Sequence, residues 1–113
     1  MIYKNTVSII GGAGHVGFPL ALALANKNIN INLIDLNIEF LNKIERGIVP
    51  FYELGAKKIL LKVLKNKKLS FSSELETVKK SKYIIVCIGT PINNKLKPEI
   101  KKFYSFSHKL FKH

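Results

Sequence analysis

Two hydrophobic patterns alternate along the chain. Short apolar runs rich in β-branched residues predict β-strands over residues 6–10, 30–35, 69–72 and 83–88. Between and after them, apolar residues three and four positions apart predict helices over residues 15–26, 38–45, 53–66, 74–81 and 98–113. Strands that alternate with helices favour a parallel sheet with right-handed crossovers and with helices on both faces.

Two details of this pattern carry specific expectations. The run 83–88 is apolar at every position, which is typical of a central parallel strand covered on both faces. Ser73 and Glu76 have the spacing of a capping box, so the sequence predicts an α-helix that begins near Glu74.

The junction between the first strand and the first helix has the spacing G-x-G-x-x-G, formed by Gly12, Gly14 and Gly17. In a strand–turn–helix unit the first glycine permits a sharp turn, the second admits a pyrophosphate close to the backbone, and the third lets the helix pack on the strand. The helix N-terminus adds N–H donors and the positive end of its dipole. The motif indicates a dinucleotide site in an α/β fold, a Rossmann-type doubly wound parallel sheet.

Asp35 ends the second predicted strand, 18 residues after Gly17. A carboxylate at this place in a dinucleotide-binding unit hydrogen-bonds the adenosine ribose hydroxyls. It also repels a 2′-phosphate, and no arginine follows directly to accept one, so the cofactor predicted is NAD and not NADP. The alternative is an accidental glycine-rich turn with an ordinary strand-end acid, which the combined context disfavours.

The chain has a formal net charge of +12, which raises the possibility of a nucleic-acid surface. Arg46 is the only arginine among the 19 basic residues, whereas specific phosphate and base recognition tends to use arginine. The lysines are scattered over several predicted helices. Solvated lysine faces are therefore favoured over nucleic-acid binding.

The remaining composition narrows the class of protein. At 113 residues and 47% hydrophobic content, the chain fits one globular domain, 1–113. Cys87 is the single cysteine and lies in an apolar strand, so a buried structural role is expected, and neither cysteine nor histidine spacing indicates a metal site.

The glycines and Pro19 disfavour an N-terminal signal peptide, and no run is long enough to span a membrane, so a cytoplasmic protein without a membrane partner is expected.

Several motifs in order resemble the N-terminal NAD-binding domain of the nucleotide-sugar 6-dehydrogenases, which act on UDP-glucose, UDP-N-acetylmannosamine or GDP-mannose. The glycine segment looks like the family's G-x-G-Y-V-G-L-P-x-A, and the others like V-D-I-N, G-x-x-P-x-Y-E, I-I-x-V-G-T-P and K-P-D. The resemblance covers about residues 3 to 99, and the matching segments are residues 12–21, 34–37, 47–53, 85–91 and 97–99.

This resemblance implies an oxidoreductase that converts C6 of a UDP-hexose to a carboxylate with two NAD, in polysaccharide biosynthesis. It assigns no catalytic residue and no metal ligand to this chain, because the family's catalytic residues lie further along. The domain is then incomplete, with a sheet truncated after about five strands, and the chain alone is expected to be inactive. Homo-oligomers are expected only for the complete enzyme. The cofactor-binding residues implied are Gly12, Ala13, Gly14, His15, Val16, Gly17, Asp35, Gly89, Thr90 and Pro91.

Three positions depart from the family pattern. Phe40 stands where a lysine or arginine is common, five residues after the ribose-binding acid, so one cofactor contact is expected to be missing. His15 replaces a tyrosine in the glycine loop, and Leu54 replaces a proline. Two other functions stay open: a free-standing nucleotide-binding or regulatory module, and, less favoured, a basic nucleic-acid binder.

Overall fold

The computed structural model describes residues 6–49, 54–88 and 108–111. Its α-helices are α1 (Gly17–Asn26), α2 (Ile38–Glu45) and α3 (Ala56–Lys65), and a 3₁₀ helix spans Leu75–Lys80. Residues 108–111 are also helical. The strands are β1 (Thr6–Ile10), β2 (Asn30–Ile34), β3 (Leu69–Ser72) and β4 (Tyr83–Val86).

The four strands form a parallel sheet in the order β3-β2-β1-β4. The chain steps from β1 to β2 to β3 in one direction and then crosses back to place β4 on the other side of β1. In doubly wound sheets ligands bind outside the carboxyl ends of the strands, at the point where this direction reverses. Here that point lies between β1 and β4. The Rossmann-type α/β fold is confirmed, with four strands among the described residues.

Helices cover both faces of the sheet, as the sequence predicts. One face carries the larger core, in which Ile9 and Leu33 of the sheet join Phe18 of α1, Ile44 of α2 and Leu60 of α3, all fully buried. The opposite face carries a smaller cluster around Ile10, Ile34 and Val78, with Leu110 packed against it. Apolar side chains therefore cover both faces of the sheet next to the carboxyl ends of β1 and β2. This packing sets the position of the loops that follow these two strands.

A buried polar ladder crosses the second face, where alternation alone predicts apolar side chains. Ser8, Asn32 and Ser70 are register neighbours on β1, β2 and β3. The Asn32 amide donates to the Ser8 hydroxyl (3.2 Å) and to the Thr77 hydroxyl of the 3₁₀ helix (3.1 Å), while the Ser70 hydroxyl donates to the Asn32 oxygen (3.3 Å). Ser8 also bonds Ser81 at the end of that helix. The ladder fixes the 3₁₀ helix to the sheet, since buried polar groups need partners.

Two local expectations are wrong. The segment after β3 is a 3₁₀ helix and not an α-helix, and no side chain caps it. Instead of the capping box, the Ser72 hydroxyl accepts the Glu74 N–H at 2.9 Å and the Thr77 hydroxyl donates to the Glu74 carbonyl at 2.9 Å. These side-chain bonds satisfy the turn locally and compete with a regular helix start.

The position of β4 also differs from the sequence prediction. Within the described sheet β4 is an edge strand, and Tyr83, Ile84 and Val86 are 57%, 44% and 44% exposed. Cys87, just after it, is partly buried against the larger core, so its burial is less complete than expected. Apolar content identified the strand, but only strand pairing shows which strand lies at the edge.

Two helices have a glycine in the left-handed region next to one of their ends. Gly47 (φ +84°) ends α2 with a Schellman arrangement, in which the Ile48 N–H bonds the Lys43 carbonyl (2.8 Å) and the Gly47 N–H bonds the Ile44 carbonyl (2.9 Å). Gly55 (φ +76°) precedes α3, which begins at Ala56, three residues later than expected. Of the segment 47–53, which resembles the family motif G-x-x-P-x-Y-E, the structure describes only Gly47, Ile48, which is 47% exposed, and Val49.

Candidate functional site

The turn after β1 is held against the end of β2 by backbone bonds. Both the Gly11 and the Gly12 N–H groups donate to the Ile34 carbonyl, at 2.8 and 3.1 Å. The left-handed residue in this turn is Gly11 (φ +83°), whereas the sequence assigns the sharp turn to Gly12. Gly12 is instead required for space, because a Cβ there would lie 2.6 Å from a methyl carbon of Leu33. Gly11 was missed by the motif, although two successive glycines at a strand end are its signal.

Gly14 and Gly17 have separate roles. A Cβ on Gly17 would collide with the Gly11 carbonyl, so this glycine allows the start of α1 to lie on the turn. A Cβ on Gly14 would meet only the Gly11 carbonyl oxygen, at 3.3 Å, and its other surroundings are open. The Gly14 N–H donates to that same oxygen (3.1 Å). We call the open space beside the Gly14 Cα the cradle. This space fits a pyrophosphate that approaches the backbone closely.

The first turn of α1 is suited to an anion. Val16 lies at the N-cap position, where it offers no side-chain hydrogen bond to the helix, and it is 70% exposed. No acidic residue occurs in that turn, so the positive end of the helix dipole is not neutralised by α1 itself. His15, before it, is also exposed.

Asp35 is brought to the glycine loop by the register of β1 and β2. One of its carboxylate oxygens accepts the Ala13 N–H at 3.0 Å, and the other accepts the Asn37 N–H at 2.9 Å. Both bonds orient the carboxylate, and each oxygen keeps lone pairs that can accept ribose hydroxyls. The structure thus places together the loop residues and the acid that the sequence predicts, over residues 12–17 and Asp35.

The third part of the predicted site follows β4. The Cys87 N–H donates to the Ile10 carbonyl at 2.7 Å, and a Cβ on Gly11 would collide with the Cys87 carbonyl, so the end of β4 packs directly against the glycine turn. Gly89, Thr90 and Pro91 lie outside the described residues, and their predicted contact with the cofactor stays a prediction.

Position 40, five residues after Asp35, holds a phenylalanine where the resembled family commonly has a lysine or arginine. The Phe40 N–H is bound by the side chain of Asn37, which caps α2 at 3.1 Å. Lys43 lies one turn further on, with its ammonium 5.7 Å from the centre of the Phe40 ring and 3.5 Å from the Glu39 carboxylate. The ammonium of Lys43 is therefore engaged with neighbours on its own helix.

The model of the UDP-glucose/GDP-mannose dehydrogenase family, NAD binding domain, matches residues 5–113. This chain belongs to that family. The family is one of NAD-dependent nucleotide-sugar dehydrogenases, and NAD is the cofactor of the matched domain.

Individual relatives agree with this membership. An uncharacterized protein of Methanocaldococcus jannaschii is 31% identical over 104 residues, covering 92% of this chain and 11% of its own length. A putative UDP-glucose 6-dehydrogenase of Bacillus subtilis is 33% identical over 81 residues, covering 71% of this chain and 18% of its own length. The chain therefore spans less than a fifth of the length of these relatives.

A solved structure supports the fold. The GDP-mannose dehydrogenase of Pseudomonas aeruginosa superposes with a TM-score of 0.82, at 22% identity, over 92% of this chain and 24% of its own. At that identity the likeness concerns the architecture of the sheet and helices.

The described residues add two further observations. None of their helices has the length and apolarity needed to cross a bilayer. Within the same residues, no three histidine, cysteine, aspartate or glutamate side chains are grouped in a way that could hold a metal ion.

Proposed function

We propose that this chain is the cofactor-binding part of a nucleotide-sugar 6-dehydrogenase. Residues 12–17 would hold the pyrophosphate of NAD, Asp35 the adenosine ribose, and residues 89–91 the nicotinamide half. The observation that carries the proposal is the hydrogen bond from the Ala13 N–H to the Asp35 carboxylate. This bond brings together the glycine loop and the acid at the end of β2, which are the two parts of the dinucleotide-binding motif. If either part matched the motif only by chance, there would be no reason for the two to be in contact.

The choice of NAD over NADP follows from the same contact. The carboxylate is held 3.0 Å from the loop amide, so its position is set before a cofactor binds. A 2′-phosphate placed on that ribose would meet a fixed negative charge. The basic residue common after this acid is replaced by Phe40, and Lys43 is paired with Glu39, so the nearby segment offers little compensation.

For the complete enzyme we propose a UDP-linked hexose as substrate. Its C6 hydroxyl is oxidised to a carboxylate in two hydride transfers, each reducing one NAD, while water supplies the second oxygen. The similarity to the Bacillus subtilis relative, a putative UDP-glucose 6-dehydrogenase, supports this substrate class. In this proposal the present chain supplies cofactor binding and no catalytic group.

Calorimetric titration of the 113-residue chain tests the proposal. We expect NAD to bind and NADP to bind at least about tenfold more weakly, since the added phosphate faces Asp35. Equal affinity for both would refute the assigned role of Asp35, and no binding of either would refute the proposed function.

A second assay tests whether the chain is inactive alone. We expect no formation of NADH when UDP-glucose and NAD are added to the purified chain. NADH formation above that of a mock preparation would show that this chain contains catalytic groups.

A further inference from the structure

Asn37 makes three hydrogen bonds that connect Asp35 to the start of helix α2. Its backbone N–H donates to an Asp35 carboxylate oxygen at 2.9 Å, its side-chain oxygen accepts the Phe40 N–H at 3.1 Å, and its carbonyl accepts the Leu41 N–H at 3.1 Å. We infer that Asn37 is a positioning residue for cofactor recognition: by capping α2 it holds the Asp35 carboxylate in the orientation that binds the 2′-hydroxyl of the adenosine ribose. This inference rests on the proposed function and assigns a role in it to a residue that acts through Asp35.

Helix α2 is a fixed support for this contact. Leu41 and Ile44 are buried in the larger core, so the helix is held to the sheet along its inner side. Asn37 is the N-cap residue of α2, and its backbone (φ −82°, ψ 84°) is outside the helical region. A side chain that accepts the N–H three residues further on also holds the backbone of the cap residue itself. The N–H of Asn37 is therefore directed at Asp35 by a helix that the core keeps in place.

Asp35 is held from three directions. Its backbone N–H donates to the Ser72 carbonyl at the end of β3 at 3.1 Å, which fixes the main chain and leaves the side-chain torsions free. One carboxylate oxygen accepts the Ala13 N–H of the glycine loop at 3.0 Å, and the other accepts the Asn37 N–H. A carboxylate held at one oxygen can still pivot about that contact, whereas one held at both oxygens presents a single orientation to the ribose. The Asn37 bond is thus the one that removes this pivot.

Exposure limits the size of the effect. Asn37 is exposed and Asp35 is half-buried, so water competes for the bonds that Asn37 makes. Loss of an N-cap side chain shifts the equilibrium at a helix end by roughly two- to thirtyfold. The Ala13 bond remains when the cap is lost, so part of this shift is felt at the ribose, and the expected change in NAD affinity is about three- to tenfold.

Calorimetric titration with NAD tests the inference on the native chain and on three variants. Asn37→Ala removes the cap and should bind NAD about three- to tenfold more weakly. Asn37→Ser keeps a neutral side chain that can cap the helix, and it should bind NAD as the native chain does. The matched control is Asn42→Ala, the same substitution at an exposed position further along α2, which should leave the affinity unchanged. Circular dichroism sets a titration temperature at which every variant is folded.

Two further titrations separate positioning from a general loss of stability. The first uses the analogue of NAD whose adenosine ribose carries hydrogen in place of the 2′-hydroxyl. The native chain and Asn37→Ala should bind this analogue equally, because it lacks the hydroxyl that Asp35 is proposed to bind. The second compares Asp35→Ala with the double variant Asp35→Ala, Asn37→Ala. These two should bind NAD equally, because a residue that acts through Asp35 has no further effect once that carboxylate is removed.

The outcomes are distinct. Native affinity for NAD in Asn37→Ala overturns the inference and leaves the proposed function intact. An equal loss of affinity for NAD and for the 2′-deoxy analogue also overturns it, because Asn37 then supports the fold and not the carboxylate. The analogue decides the question where Asp35→Ala binds too weakly to titrate. Absence of NAD binding by the native chain removes the proposed function and this inference together.

Discussion

The carboxylate of Asp35 accepts a hydrogen bond from the backbone N–H of Ala13, 22 residues earlier in the chain. The bond spans the carboxyl ends of β2 and β1, whose last residues, Ile34 and Ile10, are register partners. The acid proposed to hold the ribose is thereby fixed to the loop proposed to hold the pyrophosphate. Such preorganisation reduces the entropy that cofactor binding must offset.

Replacing Asp35 tests both parts of this relationship. We expect Asp35→Ala to weaken NAD binding about ten- to a hundredfold, because hydrogen bonds to a charged group contribute about 1.5–3 kcal/mol. Asp35→Asn should retain part of the affinity and reduce the preference for NAD over NADP. Isothermal titration gives the dissociation constants. Glu45→Gln, an exposed acid at the other end of α2, is the control and should bind NAD as the native chain does.

Alanine substitutions in the glycine loop should separate binding from folding. Gly14→Ala should keep the fold, since its Cβ meets one oxygen at 3.3 Å, yet it should weaken NAD binding about tenfold by filling the cradle. Gly17→Ala should destabilise the chain by about 1–3 kcal/mol, because its Cβ collides with the Gly11 backbone. Denaturant unfolding and NAD titration measure both quantities. A native affinity for Gly14→Ala would contradict the proposed pyrophosphate position.

The buried polar ladder should contribute to stability through Asn32. Asn32→Ala leaves the hydroxyls of Ser8, Thr77 and Ser70 without this partner, and we expect a loss of about 1–3 kcal/mol of unfolding free energy. The control is Asn30→Ala, an exposed position on the same strand that should change stability little.

A double-mutant cycle with Thr77→Val extends that test. The coupling energy between Asn32 and Thr77 should be clearly above zero, because their side chains are bonded at 3.1 Å. Additive effects would mean that this hydrogen bond does not hold the 3₁₀ helix to the sheet, which leaves that role to the Ser8–Ser81 bond and to the packing of Val78.

Among the described residues no strand pairs with the outer edge of β4, and from this we expect the chain to be prone to self-association. An unpaired apolar strand edge is a template for pairing with another chain, and a lysine on it discourages such pairing. We expect Ile84→Lys to lower the apparent mass of the chain at high concentration in analytical ultracentrifugation. Leu54→Lys, at a residue that is 86% exposed but not on a strand, is the control and should leave association unchanged.

The order of strands and helices, three of the four strand ends to within one residue, and the pairing of the glycine loop with Asp35 could all be predicted from the amino-acid sequence. These signals are local. The period of apolar positions within β2 and α2, the glycine spacing and the acid at a strand end each depend on residues a few positions apart.

The remaining features are visible only in the folded chain. In the folded chain β4 lies at the edge of the described sheet, and the left-handed residue of the first turn is Gly11. Ser8 is bonded to Ser81, which is 73 residues away in the sequence. The expected capping box is replaced by a 3₁₀ helix anchored through Thr77 to Asn32. The physical reason is common to these features: each depends on which strands pair and in what register, and this is set by contacts between residues far apart in the chain.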